Sequence, residues 1–476
     1  MTAERDEYTE KRRAHWDSIA LEMSRGAGWG QFYHQRVTRV LQTLVLPGQR
    51  IIELGCAYGD LLAALEPSVG VGVDFSSEMI KFASSSHPQL HFVHADAQEL
   101  DIKETFDVII LSDLVNDLWD VQQVFQTAAS LAEPHTRLII NSYSRLWELP
   151  LAVTERLNLA RPTLYQNWLT VEDITNLLKL TNLQVIRHWS EILCPLNIPI
   201  LQPFLNRFVV KLWPFRLGGL SNFVVARPLH REDSRTEKPL VSVIVPARNE
   251  AGNIDQIFER VPEMGRGTEL VFVEGHSTDN TYEAIERAMN SRSERKCKLF
   301  KQSGSGKGDA VRLGFAQAEG DVLMILDADL TVPPEDLPRF YEALASGKGE
   351  FINGVRLVYP MEDQAMRFFN LLGNKLFSLG FSWTLGQPIK DTLCGTKVLW
   401  KEQYEIIAAN RSYFGHLDPF GDFDLILGAA RSNLHILDLP IRYRERRYGT
   451  TNIQRWKHGL LLLRMAFVSA LRLKFV

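Results

Sequence analysis

Gly320-Asp-Val-Leu-Met-Ile-Leu-Asp327-Ala-Asp329 reads as a buried strand that ends in two acids. Carboxylates at i and i+2 leaving a strand can both turn towards one hard cation, an ion that keeps its waters and bridges phosphate oxygens. Asp-x-Asp alone is common. Here it follows an apolar strand and precedes Leu330-Thr-Val-Pro-Pro-Glu335, which makes it a strong sign of a metal-assisted diphosphate site.

Working outward, Val241-Ser-Val-Ile-Val-Pro246 is a strand that runs into Ala247-Arg-Asn-Glu250, with a helix expected from about Asn253. Glu269–Glu274 is the next strand, followed by the helix-capping loop Gly275-His-Ser-Thr-Asp279. Gly304-Ser-Gly-Lys307-Gly308 precedes the helix Asp309–Ala318. Gly306-Lys307 is not a P-loop, because Lys301 and Gly308 occupy the positions that need Gly and Ser or Thr.

The polar segment His230–Lys238 has no apolar periodicity and precedes Pro239 and a fresh strand, as a linker would. The expected division is 1–229, a linker 230–239, and 240–476. Strands alternate with helical patterns on both sides, so an α/β chain of two sheet domains is expected. The halves share no obvious motif, which marks a fusion rather than a repeat.

In the first half, Arg50-Ile-Ile-Glu53-Leu is a strand and Gly55-Cys-Ala-Tyr-Gly59 a glycine turn into a helix near Asp60. Such a turn lets backbone N–H groups approach a ligand. A second strand ends at Asp74, 21 residues after Glu53, where an acid can accept ribose hydroxyls. A third ends at Asp96, and a fourth, Phe106–Ser112, is followed by Asp113. NAD binding is the rival reading, and its Gly-x-Gly-x-x-Gly is absent.

Composition bounds the rest. With 476 residues, 45% hydrophobic and 23% charged, two or three packed domains are expected and wholesale disorder is excluded. A net charge of −4 gives no overall pull towards nucleic acid. Cys56, Cys194, Cys297 and Cys394 are far apart, so a disulfide framework or zinc site is not expected and a reducing cytoplasm fits. The charged start, Met1 to Arg13, lacks the apolar core of a signal peptide. No stretch reaches the roughly 20 apolar residues of a spanning helix. Leu460–Val476, with Arg464, Arg472 and Lys474 on one half, reads as an interfacial amphipathic helix or as a terminal helix docked on its own domain. The aromatic run between Pro195 and Arg216 reads as a membrane face, a lid or an interdomain contact.

The first half resembles the class I S-adenosylmethionine-dependent methyltransferases over roughly residues 31–228, on Glu53-Leu-Gly55-x-x-x-Gly59, Asp74-Phe-Ser76, Asp96-Ala97 and Leu111-Ser-Asp113. The resemblance implies a Rossmann-like sheet. It places Glu53, Gly55, Gly59, Asp74, Asp96 and Asp113 around S-adenosylmethionine, with Asp74 on the ribose and Asp96 near the adenine amino group. The usual middle glycine is Ala57, so a degenerate binding module is the alternative.

The second half looks like a family 2 glycosyltransferase of the GT-A fold, similar to the polyprenyl- or dolichyl-phosphate mannosyltransferases. The motifs are Val245–Glu250, Ser277-Thr-Asp279, Lys307-Gly308, Asp327-Ala-Asp329, Gly354-x-Arg356, Asp391-x-x-Cys394-Gly395 and Arg446-x-x-Gly449. By resemblance, Pro246, Arg248, Glu250, Glu274 and Lys307 line the pocket of a UDP- or GDP-sugar. Asp327 and Asp329 hold Mg²⁺ or Mn²⁺, and Arg356, Arg367 and Arg446 face phosphates. Glu274-Gly-His-Ser277 replaces the usual Asp-Asp-Gly-Ser, which leaves base and sugar open.

The acceptor follows from a proton argument. A hydroxyl acceptor needs a general base, for which Asp422 in Gly421-Asp422-Phe-Asp424 stands ready. A lipid phosphate needs cationic clamps instead. The basic tail favours polyprenyl phosphate over a glycan, and a cytoplasmic enzyme peripheral at the inner face of a membrane over a soluble one whose tail binds a partner protein.

Overall fold

The computed structural model describes residues 2–23, 31–156, 164–229, 237–356, 358–359, 368–414, 421–444, 446, 448 and 455–476. Contacts divide the chain into two compact units, Met1–Leu229 with Phe475–Val476, and His230–Lys474. The linker residues 230–236 lie outside the described set.

The first unit holds a seven-stranded sheet: β1 (Arg50–Leu54), β2 (Val69–Asp74), β3 (His91–His94), β4 (Phe106–Ser112), β5 (Ala132–Tyr143), β6 (Leu183–Glu191) and β7 (Ser221–Pro228). The order is β3-β2-β1-β4-β5-β7-β6. The five strands from β3 to β5 are parallel, while β7 runs antiparallel to both β5 and β6. Central strands read as nearly unbroken apolar runs because helices cover both faces; Ile51, Ile52, Leu54, Ile109, Ile110 and Leu111 are completely buried. The chain leaves β1 towards β2 on one side and returns to β4 on the other. That reversal opens a crevice at the carboxyl ends of β1 and β4, where ligands of open α/β sheets bind.

The second unit holds β8 (Val241–Ala247), β9 (Thr268–Glu274), β10 (Cys297–Lys301), β11 (Val322–Ile325), β12 (Phe351–Val355), β13 (Lys397–Trp400) and β14 (Ile436–Pro440). Their order is β10-β9-β8-β11-β13-β12-β14. β8 lies parallel between β9 and β11, and β13 is antiparallel to β11 and β12. The switch falls between β8 and β11. Helix Lys307–Gln317 packs so closely on this sheet that a side chain at Gly314 would run into Ile244.

The terminal helix Arg455–Ser469 is docked on its own unit: Leu462 and Met465 are buried in the core that also holds Phe381, Leu385 and Phe423, and Ser469 is buried as well. Leu463 and Phe467 stay exposed. Of the two readings of the tail, docking thus accounts for one side of the helix. All four cysteines are free thiols.

Candidate functional site

In the first unit the turn after β1 is shaped by left-handed backbone at Gly55 (φ 76°), Ala57 (φ 45°) and Gly59 (φ 74°). Ala57 keeps the conformation glycine favours, so the loop shape survives the replacement. Asp74, at the end of β2, ties the turn down. Its Oδ2 accepts the Ala57 N–H and its Oδ1 the Ser76 N–H, each at 2.9 Å. A carboxylate has about four lone-pair sites, so these two donors do not exhaust it. Burial raises the Asp74 pKa against these two donors. Glu53 is buried in β1, and its carboxyl is pushed well up by burial and then by the Asp74 charge. Its Oε2 has no hydrogen-bond partner among the described residues. Asp96 is half-buried and holds the Gln98 backbone and side chain.

Asp113 follows β4 in left-handed backbone (φ 55°). Its Oδ1 accepts from Tyr33 Oη at 2.6 Å and Asn141 Nδ2 at 2.8 Å. Burial lifts its pKa to about 7 despite those donors. A methyl at Gly55 would meet Leu114, the next residue, so Asp113 and the glycine turn border one crevice. Helix Thr2–Met23, which the sequence reading left without a role, packs on the loops around this edge. Arg12 Nε and Trp16 Nε1 donate to Asp117 at 2.7 and 2.6 Å, and Ser76 Oγ donates to Asp17.

In the second unit the acids after β11 face cations. Lys307 Nζ lies 2.6 Å from Asp327 Oδ1 and 3.9 Å from Asp422 Oδ2. Lys397 Nζ lies 3.5 Å from Asp422 Oδ1 and also donates to the Cys394 carbonyl. Arg446 bridges Asp329 (2.8 Å) and Glu250 (3.2 Å). Lys307 is kept charged, its pKa raised by Asp327 and Asp422 against the opposing effect of burial. Asp327 stays below the usual carboxylate range although burial opposes it, because Lys307, Lys397 and Arg356 surround it. Burial pushes Glu250 up to about 7, Arg446 working against it. Asn253 Nδ2 donates to Glu250 Oε2 at 2.8 Å. Glu274 is buried at the end of β9, where it accepts the Ser277 N–H. Pro246 is half-buried and Arg248 exposed at the end of β8.

Arg356 does not face open space. It forms a fork with Asp391, Nε to Oδ2 at 2.7 Å and Nη2 to Oδ1 at 2.9 Å, and Asp391 is fully buried. Its charge is balanced inside the fold by Asp391, and it also lowers the pKa of Asp327. Arg367 lies outside the described residues. Sequence reasoning missed Lys397, whose signal was a lysine opening the apolar strand β13, just after Cys394-Gly395. It also gave Asp391 a place in a motif but no partner.

Residues 46–184 match the family model described as "Methyltransferase domain", and residues 242–394 match "Glycosyl transferase family 2". An undecaprenyl-phosphate 4-deoxy-4-formamido-L-arabinose transferase from Edwardsiella ictaluri is 26% identical over 47% of this chain and 64% of its own length. A dolichol-phosphate mannosyltransferase from Pyrococcus furiosus is 33% identical over 36% of this chain and 49% of its own length. The chain thus spans between about half and two thirds of the length of these curated relatives. Among solved structures, magnesium protoporphyrin IX methyltransferase from Synechocystis with bound SAH aligns at 18% identity, with a TM-score of 0.34, over 48% of this chain and 99% of that one. Two family matches on two separate sheets make this chain a fusion of a methyltransferase domain with a family 2 glycosyltransferase domain.

Proposed function

We propose that the second unit transfers a hexosyl group from a UDP- or GDP-sugar to a polyprenyl phosphate with inversion, and that the first unit transfers a methyl group from S-adenosylmethionine. The observation that carries the reading is the convergence of Lys307, Asp327, Asp422, Arg446, Asp329 and Glu250 at the carboxyl edge of β8 and β11. Curated relatives are named as transferases to undecaprenyl and dolichol phosphates, which supports a lipid phosphate acceptor.

The donor set fits a divalent ion. Magnesium is typically bound by one or two carboxylates together with substrate phosphates rather than by an all-protein cage. The described residues hold no cluster of three or more His, Cys, Asp or Glu able to grip a metal alone, while Asp327 and Asp329 supply two hard oxygen donors. A bound Mg²⁺ or Mn²⁺ would act there as a Lewis acid on the leaving diphosphate. Lys307 and Arg446 are the cations placed to turn from these carboxylates to phosphate oxygens. A lipid phosphate attacks as an anion and needs no base. Asp422, held by two lysines, then positions Lys307; with a glycan acceptor it would have to take a proton.

For methyl transfer, Gly55 and Gly59 admit the methionine end of the cofactor, Asp74 the ribose, and Asp96 the adenine side. The sulfonium loses its charge in transfer, so in-line placement supplies much of the effect. The enzyme is read as cytoplasmic and peripheral at the inner membrane face. No helix among the described residues is long and apolar enough to cross a membrane. The packed helices Phe368–Leu385 and Arg455–Ser469 expose Leu376, Leu379, Leu463 and Phe467. The test is a panel of UDP- and GDP-sugars with Mn²⁺ and a polyprenyl phosphate, read by mass spectrometry. A glycosylated lipid phosphate is expected, and full turnover by Asp327→Ala would defeat the reading.

A further inference from the structure

The segment between β6 and β7 is a second surface the transfer chemistry does not use. Its outward side carries Ile200, Phe204, Trp213, Phe215 and Leu217, from 52% to 87% exposed, with Trp213 at 75%. An apolar group of this size is unusual on a soluble face and marks an interaction site.

The underside of the segment is anchored, so the outward face is held in place. Cys194 N–H donates to Asn206 Oδ1, and Asn206 Nδ2 returns a bond to the Cys194 carbonyl, both at 2.8 Å. Lys211 and Arg36 both pair with the buried Glu191. Trp147 Nε1 donates to the Gly218 carbonyl at 2.9 Å. Ile200, the most exposed of the set, sits in left-handed backbone at φ 68°, which a β-branched residue adopts only when its surroundings impose it.

Charge selects the occupant. Residues 192–231 contain no Asp or Glu, and Arg207 and Arg216 are exposed among the apolar side chains. Aromatic and aliphatic groups mixed with arginine, and free of acids, complement a bilayer surface bearing anionic lipid headgroups. We infer that this segment of the methyltransferase unit seats on an anionic lipid surface, with Trp213 at the headgroup level and Ile200 and Phe204 below it. The surface belongs to the first unit.

The full-length chain would be floated with phosphatidylglycerol vesicles and with phosphatidylcholine vesicles, with and without acyl chains brominated near the headgroup. Binding is expected on the anionic vesicles and about tenfold weaker or less on the neutral ones. Trp213→Phe should still float, but the tryptophan quenching by brominated lipid should fall. Phe204→Ser with Trp213→Ser should weaken flotation at least about tenfold while nucleotide-sugar turnover in detergent is unchanged. Unchanged flotation and quenching in these variants overturns the inference even if the terminal helices hold the chain on vesicles. So does a sedimentation result in which the wild type is a dimer that the double variant splits, since a second copy would then be the occupant.

Discussion

Lys307 Nζ and Asp327 Oδ1 form an ion pair at 2.6 Å, and the α-carbon of Gly395 stands against both side chains. A β-carbon at residue 395 would overlap the Asp327 carboxylate and the Lys307 ammonium. Gly395 has no left-handed backbone, so alanine there would meet no strain of its own but would push the Asp327 carboxylate and the Lys307 ammonium aside. Gly395→Ala should lower nucleotide-sugar turnover on the order of 100-fold by displacing both groups. The measurement is turnover alongside circular dichroism; a folded variant with wild-type turnover would count against the pair as part of the site.

The Arg356–Asp391 fork predicts a stability effect before a catalytic one. Arg356→Ala leaves a fully buried carboxylate without its cation, a loss that costs about 3–5 kcal/mol. A lower urea midpoint for the glycosyltransferase unit is expected. If Arg356→Ala instead keeps its midpoint and loses turnover, the guanidinium serves substrate.

Asp113 gives a pH signature in the methyltransferase unit. Its folded pKa of about 7 lies above the ordinary carboxylate value. The folded state therefore holds a proton the unfolded chain has lost, and stability falls as pH rises from about 4 to about 7. Tyr33 and Tyr143 are the titratable groups that face it, and burial raises both beyond this window. Asp113→Asn should flatten that decline in a thermal melt taken across pH 4–8. An unchanged profile would show that Asp113 titrates in its usual range.

Asp74 and Ala57 separate an active methyltransferase from a degenerate module. Asp74→Ala removes the acceptor that holds the turn and is expected to abolish saturable S-adenosylmethionine binding by calorimetry. Ala57→Gly should relieve the left-handed alanine and stabilise the unit by about 1 kcal/mol with binding retained. Wild-type affinity in Asp74→Ala would remove the ribose assignment.

Much of this was readable from local pattern. Apolar strands ending in Glu53, Asp74, Asp327 and Asp329 placed the carboxyl edges of both sheets, because a buried strand and the acid at its end are neighbours in sequence. What was not legible depends on distant pairing. Strand β7 inserts between β5 and β6 in antiparallel sense, across the long segment that follows β6. Asp391 pairs with Arg356 from 35 residues away. Lys397 reaches Asp422 only because β13 enters the sheet beside β11. The link from Thr2–Met23 to Asp117 spans some hundred residues.

The central claim is that Asp327 and Asp329 hold a divalent ion together with the donor diphosphate. Electron paramagnetic resonance of Mn²⁺ titrated into the full chain, with and without UDP or GDP, tests it most directly. The account predicts nucleotide-dependent Mn²⁺ binding in the wild type that is lost in Asp327→Asn and Asp329→Asn. Equal Mn²⁺ binding in both variants, or full sugar transfer in excess EDTA, would contradict it.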